Sequence, residues 1–220
     1  MNRTRLIAPS LAVAAFAAAT PAIARADAFE VNPDAGNNSL SAVFDAKLGE
    51  RITAVSSSVG CALTYDPASG TASGTCSVPL TSIRVDNDDT KSDHFRQWTT
   101  NKKSDPAACR LEVAFSGVAV GKLAPETPAS FTAELSFRVC GRGRSDGAKE
   151  KVTGTALLFP AGVYGEKQTI RIRATVASFD RDAYRIGPKY TEGWLARVQS
   201  LAQVVAQTGT IDLSLFAKAK

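Results

Sequence analysis

Short runs in which every second residue is apolar recur along most of this chain, separated by clusters of Gly, Pro, Asp and Asn. A period of two is the mark of a half-buried β-strand. The clearest instance is Phe131, Ala133, Leu135, Phe137 and Val139, alternating with Thr132, Glu134, Ser136 and Arg138. Leu40, Ala42, Phe44 and Ala46 begin the series, and Ile52 to Ser58 resumes it after a turn at Leu48-Gly49-Glu50-Arg51. Val59, Cys61, Leu63 and Tyr65 share one register, as do Cys76, Val78 and Leu80, with Asp66-Pro67-Ala68-Ser69-Gly70 between them as a hairpin turn. Leu111, Val113 and Phe115, then Val152 to Phe159, then Ile170, Ile172, Ala174 and Val176, then Ile211, Leu213 and Leu215 complete the pattern. Eight or nine such strands with short meander connections make an all-β chain. They close most simply as an antiparallel barrel, because closure removes exposed edges, although a two-sheet sandwich gives much the same string.

Two stretches depart from the period of two. Residues 89–98 have the composition of a short helix, with Asp88 or Asp89 placed to cap its first N–H groups. Trp194, Leu195, Val198, Leu201, Ala202 and Val205 follow helical spacing, which predicts a second helix over about 192–206, lying over an opening or side of the barrel.

The first residues read as a processing signal. Arg3 and Arg5 precede an apolar stretch from Leu6 to Ala19, and small-x-small sites follow at Ala22-Ile23-Ala24, Ala24-Arg25-Ala26 and Ala26-Asp27-Ala28. We expect residues 1–28 to be removed as a signal peptide, with cleavage after Ala26 or Ala28, leaving residues 29–220 as one domain in the periplasm or outside the cell. No later run is apolar enough over enough length to span a bilayer. The whole chain carries a net charge of +5, falling to +3 without residues 1–28, and the basic residues are scattered. A nucleic-acid footprint is therefore not indicated.

Four cysteines in an exported chain point to two disulfides. Of three connectivities, the shared apolar registers favour Cys61–Cys76, and Cys109–Cys140 follows by elimination. Cys109 is in phase with Leu111, Val113 and Phe115, whereas Cys140 is out of phase with Phe137 and Val139. That second bridge needs a bulge or a strand end.

Candidate chemistry is sparse. His94 is the one histidine, no G-x-S-x-G elbow is present, and nothing marks a nucleophile, so a hydrolase or isomerase built on His94 ranks below a capping or pocket-rim histidine. A site built from several histidines is impossible, and we expect no metal. A calcium loop beginning at Asp86 would put Lys91 where glycine is needed and Gln97 where the bidentate glutamate belongs. Gly141-Arg142-Gly143-Arg144 resembles a phosphate cradle but lacks the continuing glycines and reads as a turn. The remaining signal is an aromatic inventory: Phe44, Phe115, Phe137 and Phe179 on inward registers, with Phe95, Trp98, Tyr184 and Trp194 near the two helices. Together they suit the lining of an apolar barrel cavity, with His94, Arg142 and Arg144 as candidates to meet a polar head group.

The punctuation around residues 82–96 is more specific. Ser82-Ile83-Arg84-Val85-Asp86-Asn87, then Asp93-His94-Phe95-Arg96 and Trp98, resembles the strand, cap and helix of the YceI-like family. Ser39-Leu40-Ser41-Ala42-Val43-Phe44 resembles that family's opening strand, and Gly60-Cys61-Ala62-Leu63-Thr64-Tyr65-Asp66-Pro67 its glycine-led strand closing on Asp-Pro. Phe179-Asp180-Arg181-Asp182-Ala183-Tyr184-Arg185-Ile186-Gly187 is similar to its late arginine–aromatic–glycine turn. The resemblance implies an antiparallel lipocalin-like β-barrel of about eight strands with a tunnel for an isoprenoid, quinone or fatty-acyl chain. It implies a non-enzymatic carrier with no cofactor and a hydrophobic small molecule as its partner; the oligomeric state is open, a dimer among the possibilities. The cysteines and the 191–207 stretch depart from the family's pattern. An envelope protein with a packed interior and a working outer surface is the competing reading.

Overall fold

In a computed structural model of the protein, residues 26–100, 105–190 and 205–220 are described. Eleven strands form one antiparallel sheet: β1 (Asp27–Val31), β2 (Ser39–Ala46), β3 (Arg51–Ser56), β4 (Gly60–Asp66), β5 (Thr71–Pro79), β6 (Arg84–Val85), β7 (Arg110–Ala119), β8 (Ala129–Val139), β9 (Glu150–Phe159), β10 (Thr169–Asp180) and β11 (Val205–Ala219). Among the described residues one α-helix, α1 (Asp89–Thr99), is present, between β6 and β7.

Register reduces these eleven segments to eight staves. β1 and β2 run consecutively along the same edge of β11, Phe29 pairing with Ala219 and Leu40 with Leu213. The returning stave is β3 followed by β4, and the third is β5 followed by β6. β7 to β11 follow in chain order. Because the first stave pairs with the last, the barrel is closed and up-and-down, with no free edge along most of its wall. This is the expected lipocalin-like, all-β architecture.

The first three staves are all broken at one level, by residues 32–38, 57–59 and 80–83. Pro33 and Pro79 withdraw backbone donors there, and short 3-10 turns replace the ladder. Below the breaks the barrel is filled. Phe29, Val31, Tyr65, Ile170 and Ala217 are buried. The hydroxyl of Tyr65 accepts from the Leu123 N–H and donates to the Gly121 carbonyl, tying down the connection at that end. Above the breaks, β6 is two residues long and β7 has not begun, so the wall lacks a stave. α1 takes that place.

Local chemistry fixes α1 where the sequence led us to expect a helix. Asp88 accepts from the Lys91 N–H as N-cap. Buried Ser92 donates to the Asp88 carbonyl and accepts from the Val85 N–H, pinning the helix to β6. Asp86 and Asn87 both adopt left-handed backbone conformations, which Asp and Asn tolerate better than other non-glycine residues. The Asp86 carboxylate then bridges the Thr53 N–H of β3 and the Lys91 ammonium of α1.

Of the second helix expected over 192–206, residues 192–204 lie outside the described residues. Val205 and Ala206 correct its end: they begin β11, where Val205 pairs with Ala46. Helical spacing carries less weight there than the ladder offered by β2. Asp27 and Ala28, placed within the signal peptide at the sequence level, pair with Tyr65 and Thr64 in β1.

Both disulfides form as expected. Cys61 and Cys76 are directly opposite on β4 and β5, with Cα atoms 4.1 Å apart. Cys109 and Cys140 flank the paired ends of β7 and β8, with Cα atoms 4.5 Å apart. The strand end resolves the phase conflict: Cys140 has φ of 49°, which turns it out of the β8 alternation toward Cys109. Replacing Cys61 and Cys76 with Ala should lower unfolding free energy by about 3 kcal/mol, the loop-closure value for a bridge of this span, as read by urea denaturation.

Candidate functional site

The missing stave creates the site. Between α1 and the inner faces of β2, β3 and β11 lies a cavity of about 520 Å³. Its walls are mostly apolar: Leu40, Ala42, Phe44, Ile52, Ala54, Leu80, Ile83, Val85, Leu111, Val139, Phe179, Ile186 and Ile211 line it. Two of these, Ala42 and Ala54, are direct cross-strand partners. Alanine at facing positions keeps this part of the wall thin and leaves space between it and α1.

α1 contributes Lys91, His94, Phe95, Trp98 and Thr99, spaced i, i+3, i+4, i+7 and i+8, so one helical face looks into the cavity. The rings of His94 and Trp98 stack, with centroids 6.5 Å apart and planes 15° from parallel. That face grades from an ammonium at the first turn to indole at the last. Buried Thr99 hides its hydroxyl by donating to the Phe95 carbonyl.

The turn after β10 supplies the remaining wall. Arg181 donates to the carbonyls of Ala206, Ile186 and Val205, lacing residues 181–186 to the start of β11. Gly187 is required because its φ is 145° and a Cβ there would collide with the Arg181 guanidinium. This is the physical content of the arginine–aromatic–glycine signature. Asp182 receives Lys189 and lies 3.4 Å from Arg181.

The aromatic and basic residues singled out in the sequence divide into two groups. Phe44, Phe95, Trp98, Phe179 and His94 line the cavity together. Phe137 is buried in the wall and Phe115 is packed against the core, but neither is a cavity residue. The cavity meets only the first inward position of β7, Leu111, and the last of β8, Val139, and these two phenylalanines sit farther down their strands. Trp194 lies outside the described residues.

Tyr184, Arg142 and Arg144 act behind the cavity rather than in it. Tyr184 is fully buried and stacks on Phe179, with ring centroids 4.7 Å apart. Its hydroxyl donates to Glu150 at 2.9 Å, and Glu150 also accepts from Arg144 at 2.8 Å. Burial first, and then the Glu150 hydrogen bond, raise the Tyr184 phenol well above its ordinary range. Arg144 is held by Asp146 and Glu150, which raise its pKa, and in return it drives Asp146 well below the usual carboxylate range. Arg142 donates to the carbonyls of Tyr184 and Thr99, so it clamps the end of α1 to the turn after β10. Both arginines are therefore committed to protein partners. Glu150 went unnoticed in the sequence, although it shares the inward register of Val152, Ala156 and Leu158.

Among the described residues no cluster of three or more His, Cys, Asp or Glu side chains is arranged to hold a metal ion. No protein-family model matches the chain, and no curated protein matches it in sequence. A solved polyisoprenoid binding domain from Saccharophagus degradans, implicated in plant cell wall breakdown, is similar in structure, with a TM-score of 0.60. The match covers 89% of this chain and 100% of that domain at 13% identity. What the two share is the fold, the closed antiparallel eight-stave barrel that the YceI-like resemblance led us to expect.

Proposed function

We propose that this protein is an exported, non-enzymatic carrier that holds a long hydrophobic chain of isoprenoid, quinone or fatty-acyl type in the cavity under α1. The observation that carries the reading is the cavity itself: about 520 Å³ with mostly apolar walls, in a barrel whose other half is filled. That size suits a small-molecule site, for which roughly 300–1,000 Å³ is usual. Burying roughly ten methylenes at about 0.8 kcal/mol each is enough for firm binding after the entropic costs of association. The binding described for the structurally similar domain supports the same class of ligand. His94 lines this site with its ring stacked on Trp98, and we read it as a rim residue rather than a base.

The export part of this reading is supported by the Arg-led apolar leader and by the two disulfides, since such bridges persist in oxidising compartments. Cleavage after Ala26 keeps β1 whole, whereas cleavage after Ala28 would remove two of its paired residues. Protein purified from a native host without detergent should yield, on organic extraction and mass spectrometry, a long-chain lipid in near-stoichiometric amount. Repeated extracts free of any such molecule would contradict the carrier reading and favour an envelope interaction protein.

A further inference from the structure

The geometry points to an anionic terminal group on the ligand, held at the rim of the cavity by Lys91 and Lys189. This rests on the reading of the cavity as a site for a hydrophobic chain and specifies the other end of that chain.

Four charged side chains line the cavity among the described residues: the cations Lys91, Arg181 and Lys189, and the single carboxylate Asp182. Arg181 spends its guanidinium on three backbone carbonyls. In Asp182, Oδ2 accepts from Lys189, while Oδ1 makes no hydrogen bond but is buried 3.4 Å from Arg181, so the carboxylate offers little to an incoming cation. The two ammonium groups differ from these. Each has three N–H donors and gives one to a carboxylate, Lys91 to Asp86 and Lys189 to Asp182. Asp86, Asp88 and Glu50 act on Lys91, but none of them lines the cavity. Both lysines are about half exposed, at 46% and 51%, which places them on the solvent side of the site. The apolar side chains Phe95 and Trp98 lie one and two turns farther along α1 than Lys91. A chain laid against Phe95 and Trp98 thus brings its end to a rim where donors outnumber acceptors. A carboxylate or phosphate gains there, an alcohol is tolerated, and an ammonium is repelled.

The test uses four probes of one chain length: dodecanoate, dodecyl phosphate, dodecanol and dodecylamine, titrated into delipidated protein near neutral pH by calorimetry. The anions should bind about tenfold tighter than the amine, the sum of two partly exposed charge contacts, with dodecanol between. In the double variant K91M/K189M the gap should shrink to about twofold while dodecanol affinity holds, since each methionine keeps an apolar stem. In the unaltered protein, rising salt should narrow the same gap. An amine that binds as tightly as the anions, or a gap insensitive to salt, overturns the head-group assignment, and the salt series decides even if the double variant fails to fold. Dodecanol binding without any anionic advantage sinks this inference alone. Failure of all four probes sinks the carrier reading as well. The stronger of the two anions tells a phosphate ligand from a carboxylate one.

Discussion

Replacing Ala42 and Ala54 together with phenylalanine should abolish most ligand binding while leaving the protein folded. The two residues face each other across β2 and β3 and both line the cavity, so the added rings have only the cavity to enter. Each methylene of ligand they exclude forfeits about 0.8 kcal/mol, and excluding roughly four weakens binding about two-hundredfold. The stability readout separates a cavity from a packed core. In a filled interior, extra rings force strained rotamers and cost about 1–3 kcal/mol each. In a cavity they find room and bury apolar surface, so the urea midpoint should hold steady or rise. Loss of binding together with a steep loss of stability would mean that the space under α1 is not there.

The second large effect is expected at Glu150, away from the ligand. Its carboxylate is 3% exposed and joins Tyr184 to Arg144. Glu150→Ala strands the buried Tyr184 hydroxyl and removes one partner of a mostly buried arginine. Because Asp146 still holds Arg144, the loss belongs at the low end for a broken buried pair, about 3 kcal/mol. For a chain of this size that lowers Tm by roughly 6–12 °C. Tyr184→Phe keeps the Glu150–Arg144 pair and should cost only about 1 kcal/mol. It should also change the alkaline limb. The Tyr184 pKa is raised on folding, so its contribution is complete below the unfolded phenol value, about 10, and is lost as pH climbs toward the folded value. Wild-type stability should therefore fall above about pH 10, and the Phe variant should fall less. A binding defect in Glu150→Ala at a temperature where it remains folded would show that the pillar under Phe179 also shapes the cavity.

The strands were legible because period-two alternation reports which side chains face inward, and β8, β10 and β11 keep the registers read from Phe131–Val139, Ile170–Val176 and Ile211–Leu215. α1 was legible from its cap, since Asp88 has one job there. The breaks in the first three staves were not. A pattern read strand by strand does not reveal that residues 32–38, 57–59 and 80–83 fall at one level of a closed wall, and that coincidence is what opens the cavity. For the same reason Phe115 and Phe137 could not be told from Phe44 by register alone: all three face inward, but at different heights. Arg142 and Arg144 looked available because their partners, Thr99, Tyr184 and Glu150, are distant in sequence or hidden in a strand's inward phase. Lys91 and Lys189, on a helix and a late turn, carry no motif that sets them apart.

A ligand chain needs the space between α1 and the β2–β3 wall, and a high-resolution crystal structure of protein purified without delipidation would reveal that space and whatever fills it. Continuous tubular density should run beside Phe44, Phe95 and Trp98 and end near Lys91 and Lys189. Side chains of α1 in van der Waals contact with Ala42 and Ala54, leaving no passage between them, would contradict the carrier reading.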